Sequence, residues 1–288
     1  MDSNELNPAD RKKRQALRVG FIGFGAIGQT VADFMFRGLA GNAQLVGVLC
    51  RNPEKHRANE SRNASAPDIL FTANPDDLFN LPIDLVVEAA GQDALRLYGR
   101  QVLAKGLDLL VTSIGAFTDD SFYQQLAQAA SSSGARMLLA SGALPAVDWM
   151  AAASLAGAER VSITQSKPVV SWKSTPAARM IDLDRLEEAT CFFEGTAREA
   201  ASRFPKSSNI AAMLALSTSG LDNTNVKLVA DPKSSGMQTL IAFDGPAGKL
   251  RIEWRGIPSE KNPSTSADVP LTVVKTIRNL TASVCFGG

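Results

Sequence analysis

The chain has 288 residues, 45% hydrophobic and 20% charged, the balance of a globular protein long enough to bury a substantial core and to divide into two domains. Lys and Arg number 30 against 29 Asp and Glu, a net charge of +1 that removes any electrostatic case for nucleic acid or an anionic membrane as the main partner and leaves a small molecule as the expectation. Cys50, Cys191 and Cys285 are widely spaced and the chain has 1 histidine, so no metal-ligand spacing arises and the cysteines read as reduced, cytoplasmic thiols.

Residues 1–16 are polar and include Arg11-Lys12-Lys13-Arg14; they read as a solvated arm, because the apolar stretch behind them is glycine-broken and suits neither a signal peptide nor a membrane span. Residues 17–22 (LRVGFI) read as a strand, followed by Gly23-Phe24-Gly25-Ala26-Ile27-Gly28 and a helix-compatible QTVADFMFRGL. In such a strand, glycine turn and helix the first glycine permits the turn, the second admits the pyrophosphate of a dinucleotide, and the third lets the helix pack on the strand. The helix N-terminus offers N–H groups to phosphate oxygens, so Gly23, Gly25, Ala26, Ile27 and Gly28 are candidate cofactor contacts. A second strand follows at residues 44–49 and ends in Cys50-Arg51-Asn52, where NAD-preferring sites usually place an acid. Arg51 beside Asn52 therefore suits the 2′-phosphate of NADP, the alternatives being NAD and a solvated loop arginine. His56, further along that loop, reads as a solvated surface histidine, with adenine or phosphate contact as the other possibility.

Two more strands, at residues 83–88 and 107–113, end in Ala90-Gly91 and in Ser113 with Gly115, small residues expected to wall the nicotinamide half of a cofactor. Helices are expected at residues 93–105 and 119–133 and a fifth strand at residues 135–139. The alternation predicts an α/β fold, an N-terminal Rossmann doubly wound parallel sheet over residues 17–142. A second α/β domain with a mixed or antiparallel sheet is expected over residues 143–266, on strands at 160–168, 225–230, 237–243 and 249–254. After a polar linker at 258–266, residues 267–288 are expected to carry a helix that packs back on the first domain.

Several stretches of the second half, Lys167-Pro168, the run 193–200 (FEGTAREA), the run 203–212 (RFPKSSNIAA) and Val226 to Pro232 (VKLVADP), resemble the L-aspartate dehydrogenases, two-domain NAD(P)-dependent enzymes. The resemblance covers nearly all of the chain after residue 17. It implies oxidation of the amino-bearing carbon of a small amino acid, aspartate to iminoaspartate and then oxaloacetate and ammonia, or the reverse. It also implies a cofactor-contacting turn at Ser141-Gly142-Ala143, hence Ala143, a nicotinamide-side contact at Asn209, and a homodimer. On its residue type alone, Asn209 reads equally as the N-cap of a helix over residues 210–216.

The resemblance implies an acting histidine a few residues after Ala230-Asp231-Pro232, and this chain has Thr239 there, with no histidine anywhere between residues 225 and 260. A threonine hydroxyl does not ionise near neutral pH, so it can bond or position but not act as a base. Thr239 and Lys167 are the candidate catalytic residues, Lys167 as a carboxylate-binding cation or, if desolvated, as a base of lowered pKa. Glu194, Arg198 and Lys206 read as a charged helical face. The alternative to an enzyme is an NAD(P)-binding sensor or complex subunit of impaired turnover on the same scaffold, and a non-redox enzyme stands third.

Overall fold

The computed structural model describes residues 15–60, 68–260 and 262–287; the basic run at 11–14 lies outside them. The first domain is built from β1 (Leu17–Ile22), α1 (Ala26–Phe36), β2 (Ala43–Leu49), α2 (Pro53–Glu60), β3 (Leu70–Thr72), α3 (Pro75–Phe79), β4 (Leu85–Glu88), α4 (Gln92–Ala104), β5 (Asp108–Val111), α5 (Asp120–Ser133) and β6 (Met137–Leu139). Its six strands lie in the order β3-β2-β1-β4-β5-β6, all parallel. Helices cover both faces, which is why the central strands are apolar throughout; all four residues of β4 are buried. The strand order reverses between β1 and β4, and a crevice opens outside the carboxyl ends of the strands at that point. The strand at residues 137–139 is thus the sixth and not the fifth, because β3 is only three residues long and too short to show a period in the sequence.

The second domain follows with α6 (Val147–Ser154), β7 (Arg160–Pro168), α7 (Val169–Trp172), β8 (Thr190–Thr196), α8 (Ala197–Arg203), α9 (Asn209–Ser217), β9 (Thr224–Asp231), β10 (Met237–Gly245), β11 (Gly248–Gly256), β12 (Pro258–Ser259) and β13 (Asn262–Ser266). The five-stranded sheet runs β11-β10-β7-β9-β8 and is mixed, since β7 and β9 are parallel and the other pairs antiparallel. Thr196 and Glu199 close a reciprocal capping box that starts α8 directly from β8. The segment read as a polar linker contains the small β12-β13 hairpin, and Glu194 lies on β8, not on a helical face.

The chain ends in α10 (Val269–Thr281), whose Val273, Val274 and Ile277 share one core with Val31 and Met35 of α1 and Leu45 and Val48 of β2. The last helix is therefore built into the first domain's outer layer.

Candidate active site

The glycine turn joins β1 to α1. Gly23 has φ +92°, and a Cβ there would meet Ala90 Cβ at 2.7 Å and Ala89 O at 2.8 Å. A Cβ on Gly28 would meet Gly23 O at 2.7 Å, so this third glycine permits the helix–strand contact. Gly25 differs: among the described residues a Cβ there would meet nothing within 4 Å, so it faces open space at the N-terminus of α1. The first turn of α1 carries no acidic side chain and no side-chain cap. A dinucleotide pyrophosphate fits this cradle, which combines open backbone, helix N–H groups and no competing carboxylate.

Clefts flank the turn on either side. One is lined by Gly23, Gly25, Arg51, Asn52, Lys55 and His56 and suits the adenosine half. His56, expected in a solvated loop, lies on α2 and is half-buried: its ring stacks on Phe71 at 5.7 Å between centroids and meets Phe24 edge-on at 5.1 Å, and burial, with Lys55 nearby, lowers its pKa. The other cleft, about 390 Å³, is where the two domains meet. The first domain lines it with Gly25, Ala26, Ile27, Ala90, Gly91 and Ser113, and Ala143 joins them from the connection between β6 and α6.

Gly115 lies behind this wall. A Cβ on it would come within 2.2 Å of Ser208 Oγ and 2.9 Å of Asn209 Oδ1, so only glycine lets the second domain approach. Its N–H donates to Asn209 Oδ1 at 2.8 Å. Asn209 therefore does not cap its own helix, for the N-cap of α9 is Ser208; it ties the domains together and also lines the cleft. Arg198 ties them a second time, donating to Asp222, Thr118 O and, at 3.1 Å, Asp120.

From the second domain come Gln165, Lys167, Lys206, Ser207 and Met237. Gln165 and Lys167 are two residues apart on β7 and so share a face. Lys167 Nζ donates to Ser207 Oγ at 2.9 Å and sits 4.9 Å over the Trp172 ring. Burial pushes its ammonium down to about 8. Thr239 pairs with Gln165 on β7 and with Trp254 on β11, so its side chain shares the face of Gln165; it is 0% exposed and does not line the cleft, and among the described residues its hydroxyl has no hydrogen-bond partner. Gln165, Ser207 and Glu88 had escaped the sequence reading. The period-2 spacing of Gln165 from Lys167 was the available signal for the first; Ser207 and Glu88 are placed by contacts distant in sequence.

A Rossmann sheet with a glycine cradle at its switch point, closed over by a second domain bearing a desolvated lysine, defines a two-domain NAD(P)-dependent oxidoreductase. The chain is 36% identical to an L-aspartate dehydrogenase of Brucella anthropi over 91% of its own length and 96% of the relative's. It is 39% identical to one of Ralstonia pickettii over 91% and 97%. The chain belongs to the L-aspartate dehydrogenase family. Residues 148–280 match the family described as aspartate dehydrogenase, C-terminal, and residues 23–140 the NAD binding domain of homoserine dehydrogenase. The aspartate dehydrogenase structure of Thermotoga maritima shares the fold at TM-score 0.70 and 23% identity, covering 95% of this chain and 100% of that one.

Proposed function

We propose that the chain oxidises L-aspartate, or a closely related small amino acid, at its amino-bearing carbon, with NADP as the preferred hydride acceptor and NAD as the alternative. The observation that carries this reading is the convergence of the glycine turn and its small-residue walls with Lys167, Lys206 and Asn209 on one cleft. The bound dinucleotide supplies the redox step. Neutral Lys167 takes the proton that the substrate ammonium must lose before a hydride can leave, and Ser207 orients it. Lys206 offers an ammonium to a substrate carboxylate. Aspartate and NADP⁺ thereby give iminoaspartate, NADPH and a proton, and water then converts the imine to oxaloacetate and ammonia.

Thr239 stands where the resemblance puts a histidine, and its hydroxyl does not ionise near neutral pH, so the proton duty falls to Lys167. A desolvated lysine kept inside the cleft favours an enzyme over a sensor of impaired turnover. Arg51 and Lys55 line the adenosine cleft at the end of β2, which supports NADP over NAD. The reading places the protein in the cytoplasm, where its thiols stay reduced, and as a homodimer, supported by the exposed apolar Leu240 and Ile257 of the second domain.

An anaerobic fluorescence titration with NADPH and NADH, followed by assays with L-aspartate and with oxaloacetate plus ammonium, tests it. Tighter NADPH binding with turnover in both directions is expected. Binding without turnover of either substrate pair removes aspartate chemistry, and binding of neither nucleotide removes the cofactor assignment.

A further inference from the structure

A buried charge that none of these steps uses stands behind the cleft. Glu88 ends β4 at 0% exposure. Its Oε1 accepts from Ala90 N at 2.8 Å, Gly91 N at 2.9 Å and Ser113 Oγ at 3.0 Å, and its Oε2 accepts from Ser113 N at 3.1 Å. Ala90, Gly91 and Ser113 all line the cleft that takes the nicotinamide half. The carboxyl group is thus one residue behind that wall and ties the turn after β4 to the turn after β5. Burial raises its pKa while the four hydrogen bonds oppose the rise. Three of the four partners are backbone N–H groups that can only donate, which suits an ionised carboxylate on both oxygens. Among the described residues no cationic side chain contributes to its titration.

A buried anion without a cationic partner is costly unless something else compensates it. The two redox forms of a nicotinamide differ in this respect, because the oxidised ring carries a positive charge and the reduced ring none. We propose that Glu88 is a fixed negative charge behind the nicotinamide wall that favours the oxidised cofactor over the reduced one and so biases the bound dinucleotide toward accepting hydride. This rests on the cleft being the nicotinamide end of the site. A carboxylate serving only to brace the two turns has no reason to distinguish the two redox forms, so the ratio of their affinities separates the electrostatic role from the structural one.

The test measures dissociation constants for NADP⁺ and NADPH on the full chain, as wild type, Glu88→Gln and Ser113→Ala. Glu88→Gln is expected to weaken NADP⁺ relative to NADPH by about tenfold, the scale of a unit charge acting across ~10 Å of partly desolvated protein. Ser113→Ala, which removes one donor and keeps the charge, is expected to move both constants by the same factor. Equal effects of Glu88→Gln on the two forms, or none, overturn the proposal. If Glu88→Gln does not fold, the wild type decides: it must hold NADP⁺ no more weakly than NADPH, and a tenfold preference for NADPH overturns the proposal. Failure of the wild type to bind either form instead overturns the cofactor reading beneath it.

Discussion

Lys167 is the residue at which local physics and function oppose each other. Its ammonium, enclosed beside Trp172 and bonded to Ser207, titrates at about 8 in place of 10.5. Between those values the unfolded chain binds more protons than the folded one, so stability rises with pH across about 8 to 10.5 and the desolvation penalty is full below 8. Lys167→Met is therefore expected to stabilise the protein at pH 7 by about 2–3 kcal/mol, read as a higher urea midpoint, with the gain gone above about pH 10.5. The same variant is expected to lower kcat/KM for aspartate by ~10²–10⁴-fold. In the wild type that parameter rises as pH passes through about 8, since the neutral amine is the active form. A flat pH profile between 7 and 9 rules out Lys167 as the base. The sequence marked Lys167 as a candidate, but the burial that lowers its pKa arises only in the folded chain, as does its bond to Ser207, 40 positions away.

At the scale of the element, the β1–α1 turn separates folding from binding within three residues. Gly23 holds φ +92° against Ala89 and Ala90, so Gly23→Ala is expected to destabilise by about 1–3 kcal/mol, seen as a lower melting temperature. Gly25 meets nothing within 4 Å, so Gly25→Ala is expected to melt near the wild type while NADPH affinity falls at least tenfold, because its methyl group occupies the pyrophosphate approach. Calorimetry and fluorescence titration of the two variants check this, and equal loss of stability in both removes the distinction. The turn was legible in sequence because glycine, strand and helix signals lie next to one another. β3 was not, since three residues give no period, and neither was β8, whose register is irregular between Cys191 and Phe193 and whose Glu194 reads in sequence as part of a charged helical face.

At the scale of the whole molecule, the two domains are joined by α10 and by the contacts of Asn209 and Arg198. Ile277 is fully buried among α1 and β2 although more than two hundred residues separate it from them. Ile277→Ala is expected to cost about 2–5 kcal/mol, measured by denaturant unfolding, and a cost below about 1 kcal/mol is incompatible with its place in that core. What could be read along the chain were the elements whose signals are local: the parallel sheet, the glycine cradle, a second sheet left open as mixed or antiparallel, and the absence of an imidazole at position 239. The folded chain adds that Asn209 bonds Gly115 rather than capping its helix, that His56 packs against Phe24 and Phe71, that Thr239 is fully buried beside Gln165, and that Glu88 braces the cofactor wall. Hydrophobic periods and turn residues repeat within a few positions and can be read along the chain, whereas a pKa, a buried charge or a contact between domains depends on groups that meet only after the chain has closed on itself.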